Sequence, residues 1–415
     1  MYRIFIKTTI INRRHEGASK RSEILICGME QFISSFTIDI IGIIIFGILL
    51  ILLIIQLYFY LGDYKKPVTY AENDYNQEKK DWPSVSVIIV GKDESENLEK
   101  CLPVILSQDY PNYEVIVVNE GATDETEFLL KRLKKEYSNL YSTFSPIPDN
   151  DEEVRNKVLP LTIGIKAARK DILLFTEADS IPVGNEWIRS MVSPLNKETQ
   201  ISIGYSRFEG NDESWKKIAI FDNLIFSLQY FSKAIKHKPF AATYRNIAYR
   251  KHLFFDNKGF SSALNYNSAE LVFVNRIMTS DNTAVVLNKE SFVSTNLQSF
   301  NHWKEIKTSY YRAKSHFTNY TSGIFSLETF SRYMFYITTL ASIVYSSIYF
   351  LWAYLVAAVL LFLIRYITQI IVLNKATNLF ETPKYRLSIP FFEILQPYFN
   401  SRFVSLAKTK KKKRK

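Results

Sequence analysis

The stretch SVSVIIVGKDES, residues 84–95, decides the fold. Its first part is a short, β-branched run of the kind that forms a buried strand in a parallel sheet. The polar residues 91–95 then form a turn, and a helical pattern follows in which the apolar positions are Leu98, Leu102, Ile105 and Leu106. The stretch therefore predicts a strand, a turn and a helix in succession.

Two more runs of sequence follow the same plan. EVIVV (residues 114–118) ends in Asn119 and Glu120, and DILLFT (residues 171–176) ends in Glu177-Ala178-Asp179. Strands that alternate with helices predict βαβ units and a parallel sheet. Ligands of such sheets bind beyond the carboxyl ends of the strands. Because all three runs carry polar or acidic residues there, the sequence predicts a functional cleft at that edge.

The net charge of +11 lies at the two ends of the chain. Residues 1–28 carry an excess of basic over acidic side chains, and the last eight residues are almost all Lys or Arg, so the sequence between them is formally neutral. A nucleic-acid-binding domain concentrates positive charge on its folded part, so nucleic acid is not expected as a partner. The two cysteines, Cys27 and Cys101, predict neither a disulfide framework nor a zinc site.

Long apolar runs predict a membrane protein with three transmembrane helices. The first run, residues 40–60, matches the roughly 30 Å thickness of a bilayer core and is too long for a signal peptide. The second, residues 334–373, is long enough for two spans and is interpreted as a helical hairpin. Arg365 falls within its second helix and could extend towards the cytoplasmic side.

The distribution of basic residues predicts the orientation in the cytoplasmic (inner) membrane. Lys65 and Lys66 follow the first span and the Lys-rich tail follows the third, which places the intervening domain in the cytoplasm. The basic residues 1–28 argue against this, unless Met29 is the true start; both alternatives stay open. The tail could bind anionic lipid or be only a solvated topology signal. Residues 385–400 are too short to span and predict an interfacial segment.

Three motifs resemble those of family 2 glycosyltransferases, namely PSVSVIIVGKDESENLEKCL, SQDYPNYEVIVVNEGATDET and LLFTEADSIPVGNEWI. Their order and spacing are similar over about residues 83–317, most closely to membrane-anchored bacterial members. The resemblance implies a GT-A fold, which is an α/β, Rossmann-like domain with a mostly parallel sheet. The predicted organisation is a basic extension (1–28), a transmembrane helix (29–61), a linker (62–82), a GT-A domain (83–320), a transmembrane hairpin (330–375), and an interfacial segment with a basic tail (376–415).

The resemblance assigns residues to a nucleotide-sugar donor and a divalent cation, Mn²⁺ or Mg²⁺. Asp179, which closes the D-x-D-type motif, is the expected metal contact, because hard cations prefer carboxylate oxygens. The alternative is that Asp179 is only a turn or helix-capping residue. Lys157 is expected near the diphosphate, or else is a solvated surface lysine. The full set of expected donor-binding residues is Asp93, Glu94, Asn119, Glu120, Lys157 and Glu177.

The same resemblance assigns the acceptor side. Arg245 and Asn246 are expected to contact the acceptor, and Glu270 is expected to be the catalytic base that takes the proton of the acceptor hydroxyl. The alternative for Glu270 is an exposed acid on a helix turn. The stretch 302–317 is amphipathic and contacts either substrate or the membrane surface, and the second interpretation is favoured.

Several acidic positions depart from the family pattern. Glu120, Glu177 and Glu270 stand where the family usually carries Asp, and a displacement of about 1 Å can cost about 100-fold in rate. Two hypotheses therefore stay open. The first is an inverting, metal-dependent enzyme that adds a sugar to an envelope glycan or a lipid-linked acceptor. The second is a catalytically lapsed homologue that acts as a binding or scaffold subunit in envelope assembly.

Overall fold

The computed structural model describes residues 39–73, 82–121, 124–146, 157–210, 213–264, 266, 268–318 and 322–412. The predicted extension at 1–28 and the choice of start codon lie outside these residues. The chain divides into two compact units. The apolar unit comprises Met1–Phe59 and Leu327–Gln369, and the α/β unit comprises Tyr60–Ser326 and Ile370–Lys415.

The α/β unit contains a seven-stranded, mostly parallel sheet in the order β3-β2-β1-β4-β8-β6-β9. The first four strands of that order are parallel, whereas β8 runs antiparallel to both of its neighbours. A second sheet has the order β5-β10-β7. The strands are β1 (Val85–Gly91), β2 (Tyr113–Glu120), β3 (Leu140–Ser145), β4 (Ile172–Glu177), β5 (Ser180–Pro182), β6 (Ile201–Gly204), β7 (Ser206–Phe208), β8 (Ile247–Arg250), β9 (Thr283–Val286) and β10 (Val293–Thr295). The predicted parallel sheet is confirmed.

The register of β1 aligns the ends of its neighbours. Val90 pairs with Val118 on one side and with Glu177 on the other, so the three strands that were predicted from sequence end at the same level. Their carboxyl ends form one edge of the sheet, as predicted for a ligand-binding cleft.

The helices of the α/β unit cover the sheet with the faces that the sequence predicts. They are α2 (Lys66–Asn73), α3 (Ser95–Leu106), α4 (Thr126–Glu136), α5 (Val158–Ala167), α6 (Trp187–Val192), α7 (Ser214–Ile235), α8 (Lys251–Asp256), α9 (Ala269–Ile277), α10 (Phe300–Lys314) and α13 (Ile389–Lys412), with short 3₁₀ turns at Gly259–Ala263 and Lys289–Ser291. The four predicted apolar residues of α3 lie in one buried core with Val85, Val87 and Ile89 of β1. Helix α5 approaches the opposite face closely, since a Cβ at Gly164 would lie 2.8 Å from Ile88 Cγ2.

The apolar unit contains α1 (Ile40–Leu57), α11 (Ser322–Ile348) and most of α12 (Trp352–Leu379). Among the described residues, two helices are long and apolar enough to cross a membrane, the one that starts at Ile40 and α12. The prediction of three transmembrane helices is therefore wrong. Helix α11 is long, but it carries Glu328, Arg332 and many serine and threonine residues, which lower its hydropathy. The orientation of the α/β unit relative to a membrane stays a prediction.

Arg365 does not extend out of the apolar unit. Its side chain is 1% exposed, and its Nε and Nη2 donate to Gln56 Oε1 at 3.2 and 2.9 Å. Its Nη1 donates to the Tyr336 hydroxyl at 3.1 Å, and Gln56 in turn donates to Ser331 Oγ at 2.7 Å. These bonds join α1, α11 and α12 through satisfied polar groups, as an apolar environment requires.

Two segments that were predicted outside the GT-A domain are parts of the α/β unit. The first part of the predicted linker is a π-helix (Tyr58–Tyr64) followed by α2, and the buried Asp63 accepts hydrogen bonds from Lys233 and Lys236. The region predicted as a short interfacial segment lies in the continuous helix α13, which includes Pro397. Helix α13 packs on α10, where Phe403 meets Trp303 with a centroid distance of 5.0 Å.

Candidate active site

A cavity of about 870 Å³ opens at the carboxyl edge of β1 and β4 and has α10 as one wall. This volume is in the range of pockets that hold drug-sized ligands, roughly 300–1,000 Å³. Charged groups of both signs line it. The acids are Glu94, Glu177, Asp179, Asp222, Glu270 and Glu305, and the cations are Lys157, Arg245, Lys304, Lys307 and Arg312.

Lys157 and Glu177 form an ion pair on the cavity wall. Lys157, the residue before α5, places its Nζ 2.8 Å from Oε1 of Glu177, the last residue of β4. Burial by itself would raise the pKa of Glu177, but the charge of Lys157, followed by that of Arg245, lowers it to about 2. Glu177 is therefore ionised at neutral pH, and Lys157 lies in the cavity and not on a solvated loop.

Asp179 lies two residues beyond β4 and points one oxygen into the cavity. Its Oδ1 accepts from the Ser180 hydroxyl at 3.1 Å. Its Oδ2 is buried without a hydrogen-bond partner among the described residues, and the nearest cation-forming group is His302 Nε2 at 3.5 Å. Burial, followed by the charge of Glu177, raises the pKa of Asp179 to about 6. The side chain caps no helix, because the residue before α6 is Glu186.

The side chains of Asp179 and His302 are the ones to consider as ligands of a divalent cation in the cavity. The buried carboxylate oxygen of Asp179 is a ligand atom of the type that Mn²⁺ and Mg²⁺ prefer, whereas the imidazole nitrogen of His302 is a type that softer metal ions prefer. Among the described residues, no group of three His, Cys, Asp or Glu side chains could hold an ion. The described residues therefore show no complete metal site, and Asp179 offers one carboxylate that a cation could contact.

Glu270 occupies the first turn of α9 and lines the same cavity. The residue is 7% exposed, which excludes the exposed acid that the sequence left open, and its Oε2 has no hydrogen-bond partner in the described part of the chain. Burial raises the pKa of Glu270, and the charge of Lys157 opposes that rise. A buried carboxylate with an available oxygen is suited to accept a proton.

Arg245 and Asn246 are neighbours in sequence but have different surroundings. Arg245 lines the cavity, is 6% exposed, and places its guanidinium 5.3 Å from the centre of the Phe208 ring. Asn246 is fully buried, and its amide donates to the carbonyls of Tyr205 and Ser291 at 2.9 and 2.7 Å. Its Oδ1 accepts from Trp187 Nε1 at 3.0 Å. The structure thus gives Asn246 a place inside the fold, away from the cavity wall where an acceptor contact was predicted.

The four residues predicted for the nucleoside share the sheet edge, but only Glu94 lines the cavity. Glu94 Oε2 accepts from Asn97 Nδ2 at 2.6 Å. Asp93 has a left-handed backbone (φ 53°) in the turn after β1. Asn119 pairs with Gly91 in the sheet, and Glu120 ends β2 with 7% exposure. Their contact with a nucleoside stays a prediction.

Helix α10 contributes residues that the sequence analysis missed. His302, near the start of α10, lines the cavity and lies beside Asp179. Trp303, the next residue, is fully buried and packs against Phe403 of α13. Helix α10 therefore lines the cavity on one side, and the predicted contact of 302–317 with a membrane surface stays a prediction. Sequence spacing could not identify His302, because its partner Asp179 comes from a distant part of the chain.

Asp222 of α7 joins three helices beneath this wall. Its Oδ2 lies 2.7 Å from Lys307 Nζ of α10, and its Oδ1 accepts from Gln396 and Asn400 of α13 at 3.0 and 3.2 Å. Asp222 is 2% exposed and Lys307 is 8% exposed. The ion pair is therefore buried, and removal of one partner leaves the other charge without compensation.

Asp222→Ala is expected to lower the free energy of unfolding by about 3–5 kcal/mol, the usual cost of breaking a buried pair from one side. Thermal unfolding of the full chain in detergent measures the effect. The matched control is Asp109→Ala, since Asp109 pairs with Arg189 at 3.0 Å but is 62% exposed, and such a pair contributes at most about 1 kcal/mol. Equal midpoints for the two variants would show that Asp222 does not hold the helices.

Comparisons with known proteins agree with this geometry. Residues 86–256 match the family model described as glycosyl transferase family 2. The chain is 34% identical over 116 residues to glycosyltransferase AglE of Haloferax volcanii, a match that covers 28% of this chain and 36% of that protein. It is 32% identical over 100 residues, 24% of this chain, to the Methanococcus voltae dolichyl N-acetyl-alpha-D-glucosaminyl phosphate 3-beta-D-2,3-diacetamido-2,3-dideoxy-beta-D-glucuronosyltransferase, of which 30% is covered.

These matches span about a third of the length of the curated relatives. A likeness of fold covers more of the chain. The mannosyltransferase PcManGT of Pyrobaculum calidifontis, solved in complex with GDP-Man and Mn²⁺, aligns with a TM-score of 0.51 at 13% identity, over 75% of this chain and 98% of that protein. The motifs, the mostly parallel sheet and the matched family model agree, and residues 86–256 therefore form a domain that is similar to family 2 of the glycosyltransferases.

Proposed function

We propose that the chain transfers a sugar from a nucleotide-sugar donor to an envelope glycan or a lipid-linked acceptor. One observation carries the proposal: Asp179 Oδ2 and Glu270 Oε2 are both buried without hydrogen-bond partners in the described structure and line one cavity. A buried polar atom that lacks a partner costs about 1–3 kcal/mol. Two such oxygens in a cavity that also contains Lys157 and Arg245 favour a substrate that supplies the missing partners.

The cationic residues of the cavity suit the diphosphate of such a donor. Lys157 and Arg245 lie near Glu177 and Asp179, as their effect on the pKa of both carboxyls shows. A phosphate oxygen can accept from Lys157 while Glu177 holds the ammonium in place. Asp93, Glu94, Asn119 and Glu120, at the ends of β1 and β2, are proposed to contact the nucleoside.

A divalent cation, Mn²⁺ or Mg²⁺, is proposed at Asp179 with His302 beside it. When bound, the cation supplies Lewis-acid stabilisation of the negative charge on the leaving diphosphate. The support from this chain is the partnerless Oδ2 of Asp179 and the 3.5 Å separation from His302 Nε2. The fold neighbour from Pyrobaculum calidifontis was solved with Mn²⁺.

Glu270 is proposed as the base of a single displacement. The acceptor oxygen forms a bond to the anomeric carbon of the sugar while its proton passes to Glu270. The bond between that carbon and the phosphate oxygen breaks, and its electron pair leaves with the nucleoside diphosphate. Arg245 and Lys157 stabilise the charge that develops on the leaving group. One displacement at the anomeric carbon inverts its configuration.

The proposed location is the cytoplasmic (inner) membrane, with the α/β unit facing the cytoplasm. The support is the pair of helices that are apolar and long enough to span, and the basic residues Lys65 and Lys66 that follow the first apolar run. The lapsed-scaffold hypothesis is not proposed, since the cavity retains carboxylates at Asp179 and Glu270 and cations at Lys157 and Arg245.

Isothermal titration of the full chain with UDP- and GDP-sugars, with and without Mn²⁺, tests the proposal. Binding of at least one common donor that strengthens with Mn²⁺ is expected. An assay for release of nucleoside diphosphate in the presence of membrane lipid extract then tests transfer. Absence of binding across these donors would contradict the enzyme.

Lys157→Met is expected to weaken donor binding by about 10- to 100-fold, since a hydrogen bond to a charged group contributes about 1.5–3 kcal/mol. The dissociation constant of the nucleotide sugar, measured by titration calorimetry, checks this. Lys166→Met is the matched control, because Lys166 lies on the same helix, α5, and is exposed. Similar affinities of the two variants would remove Lys157 from the donor site.

A further inference from the structure

Helix α13 presents two different faces. Its inner face is buried in the α/β unit and includes Phe392, Gln396 and Phe403. Its outer face, together with the residue that precedes the first turn, exposes Leu387 (87%), Phe391 (61%), Ile394 (46%) and Tyr398 (57%). These four positions recur at spacings of four and three residues, so they form one continuous apolar stripe along a helix. We call this set of four residues the outer stripe.

Basic residues surround the outer stripe. Arg386 precedes it and Arg402 and Lys408 follow it, and all three are exposed. The sequence beyond them continues with further lysines and an arginine to Lys415. The one acid of α13, Glu393, is 1% exposed and lies on the inner side. The outside of the helix is therefore apolar in its first half and cationic around it, a combination that fits an anionic bilayer surface.

Helix α13 is connected along the chain, directly or through one hydrogen bond, to segments that adjoin the candidate membrane helices in sequence. Glu393 accepts a hydrogen bond from the hydroxyl of Tyr60, and Tyr60 follows Leu57, the last residue of α1, by three positions. Glu393 lies near the start of α13, and the helix begins ten residues after Leu379, where α12 ends. Both chain segments adjoin helices that are long and apolar enough to cross a membrane.

We propose that the outer stripe docks on the surface of an anionic lipid bilayer, with its apolar side chains at the level of the headgroups and the flanking basic residues on lipid phosphates. The inner face of the same helix supports the α10 wall of the cavity through Asp222 and through the contact of Phe403 with Trp303. One side of α13 would thus contact the bilayer, while the opposite side supports the cavity wall. The inference rests on the membrane attachment proposed above and does not depend on sugar transfer.

Spin labels on the full chain test the docking. A Cys27→Ser background leaves Cys101, which is buried, and single labels are attached at Phe391→Cys or Tyr398→Cys after reconstitution in phosphatidylcholine vesicles that contain phosphatidylglycerol. The control label is at Phe128→Cys, since Phe128 of α4 is 75% exposed. Accessibility to apolar oxygen relative to a water-soluble nickel chelate is measured for each label by electron paramagnetic resonance.

The oxygen-to-nickel ratio is expected to be severalfold higher at 391 and 398 than at 128, and to fall when phosphatidylglycerol is omitted. Arg386→Gln with Arg402→Gln is expected to weaken that dependence on anionic lipid, because Lys408 and the basic residues that follow it remain. Labels at 391 and 398 that contact water as fully as the control would overturn the inference. Labels that neither reagent reaches would also overturn it, because protein, for example a second copy of the chain, would then cover the stripe.

Extraction of the vesicles at alkaline pH separates this inference from the proposed membrane attachment. A chain that leaves the vesicles contradicts the attachment. A chain that stays in the vesicles with water-exposed labels contradicts only the docking of α13. Neither result depends on the activity of the enzyme.

Discussion

Glu270→Gln is expected to reduce the rate of sugar transfer by about 10²–10⁴-fold, the usual contribution of a general base, while donor affinity changes little. The amide has the shape of the carboxylate, so the first turn of α9 is preserved, but it cannot accept the proton of the acceptor hydroxyl. The rate of nucleoside diphosphate release at saturating donor, together with calorimetric donor binding, checks both parts. Full transfer activity in this variant would assign the base to another residue.

The pH dependence of kcat/KM is a second measurement that tests whether Glu270 is the base. Because burial raises the pKa of Glu270, kcat/KM is expected to fall with decreasing pH from a value above the ordinary glutamate pKa of about 4.3. The residual activity of Glu270→Gln is expected to lack this acid limb. Glu305→Gln is the matched control, since Glu305 lines the same cavity but is exposed, and its profile is expected to match that of the wild type.

Asp179→Ala is expected to abolish the Mn²⁺ dependence of donor binding and to lower transfer by at least about 10³-fold, because Lewis-acid stabilisation contributes several kcal/mol. Titration calorimetry with and without Mn²⁺ measures the first effect. Asp171→Ala is the control, since Asp171 is exposed just before β4, at the opposite end of that strand. Mn²⁺-dependent binding that persists in Asp179→Ala would remove this residue from the cation site.

The direction of the pKa shift of Asp179 predicts how replacing this residue changes the stability of the fold. A carboxyl whose pKa is raised from 3.8 to about 6 on folding stabilises the fold fully only below its unfolded pKa, and that contribution is lost as the pH rises through about 6. At pH 7.5 the isosteric variant Asp179→Asn is therefore expected to unfold at a temperature no lower than the wild type. Lower thermal stability would indicate a structural role.

The long strands could be predicted from sequence because each carries its own signal. Strands β1, β2 and β4 are buried runs of β-branched and aliphatic residues, and local pattern is sufficient for such runs. Strands β6, β8 and β9 have four residues each, and β8 is inserted antiparallel between β4 and β6. Four residues are too few to show a strand-like alternation of apolar and polar side chains. These strands form because they pair with neighbouring strands, and that pairing has no local sequence pattern.

The candidate site was predicted where a motif fixed the residue and missed where distant segments meet. Asp179, Lys157 and Glu270 line the cavity as the resemblance implies. Asn246 does not, although it is adjacent to Arg245. The two residues lie in a turn before β8, and the Asn246 side-chain amide donates to two buried carbonyls. The contact of His302 with Asp179 joins separate regions of the chain and has no sequence signature.

The number of spans was overestimated because the apolar run and the helix do not coincide. The apolar run was read from residue 334, whereas α11 begins at Ser322 and includes the pair of Glu328 with Arg332, whose atoms approach to 2.6 Å. These two charges, with the serine and threonine residues of α11, lower its hydropathy below that of the two candidate membrane helices. The sequence shows each charged residue but not whether its partner lies on the same helix face.

The support of α10 by α13 has a consequence for biosynthesis. Ribosomal synthesis proceeds from the N-terminus, so β1 and β4 with Asp179 emerge before His302, and α13, which packs on the α10 wall, emerges after His302. A nascent or truncated polypeptide that stops before α13 has the acidic loops but lacks the buttress formed by Gln396, Asn400 and Phe403. Such a polypeptide is therefore expected to lack a stable α10 wall, although its acidic loops are complete.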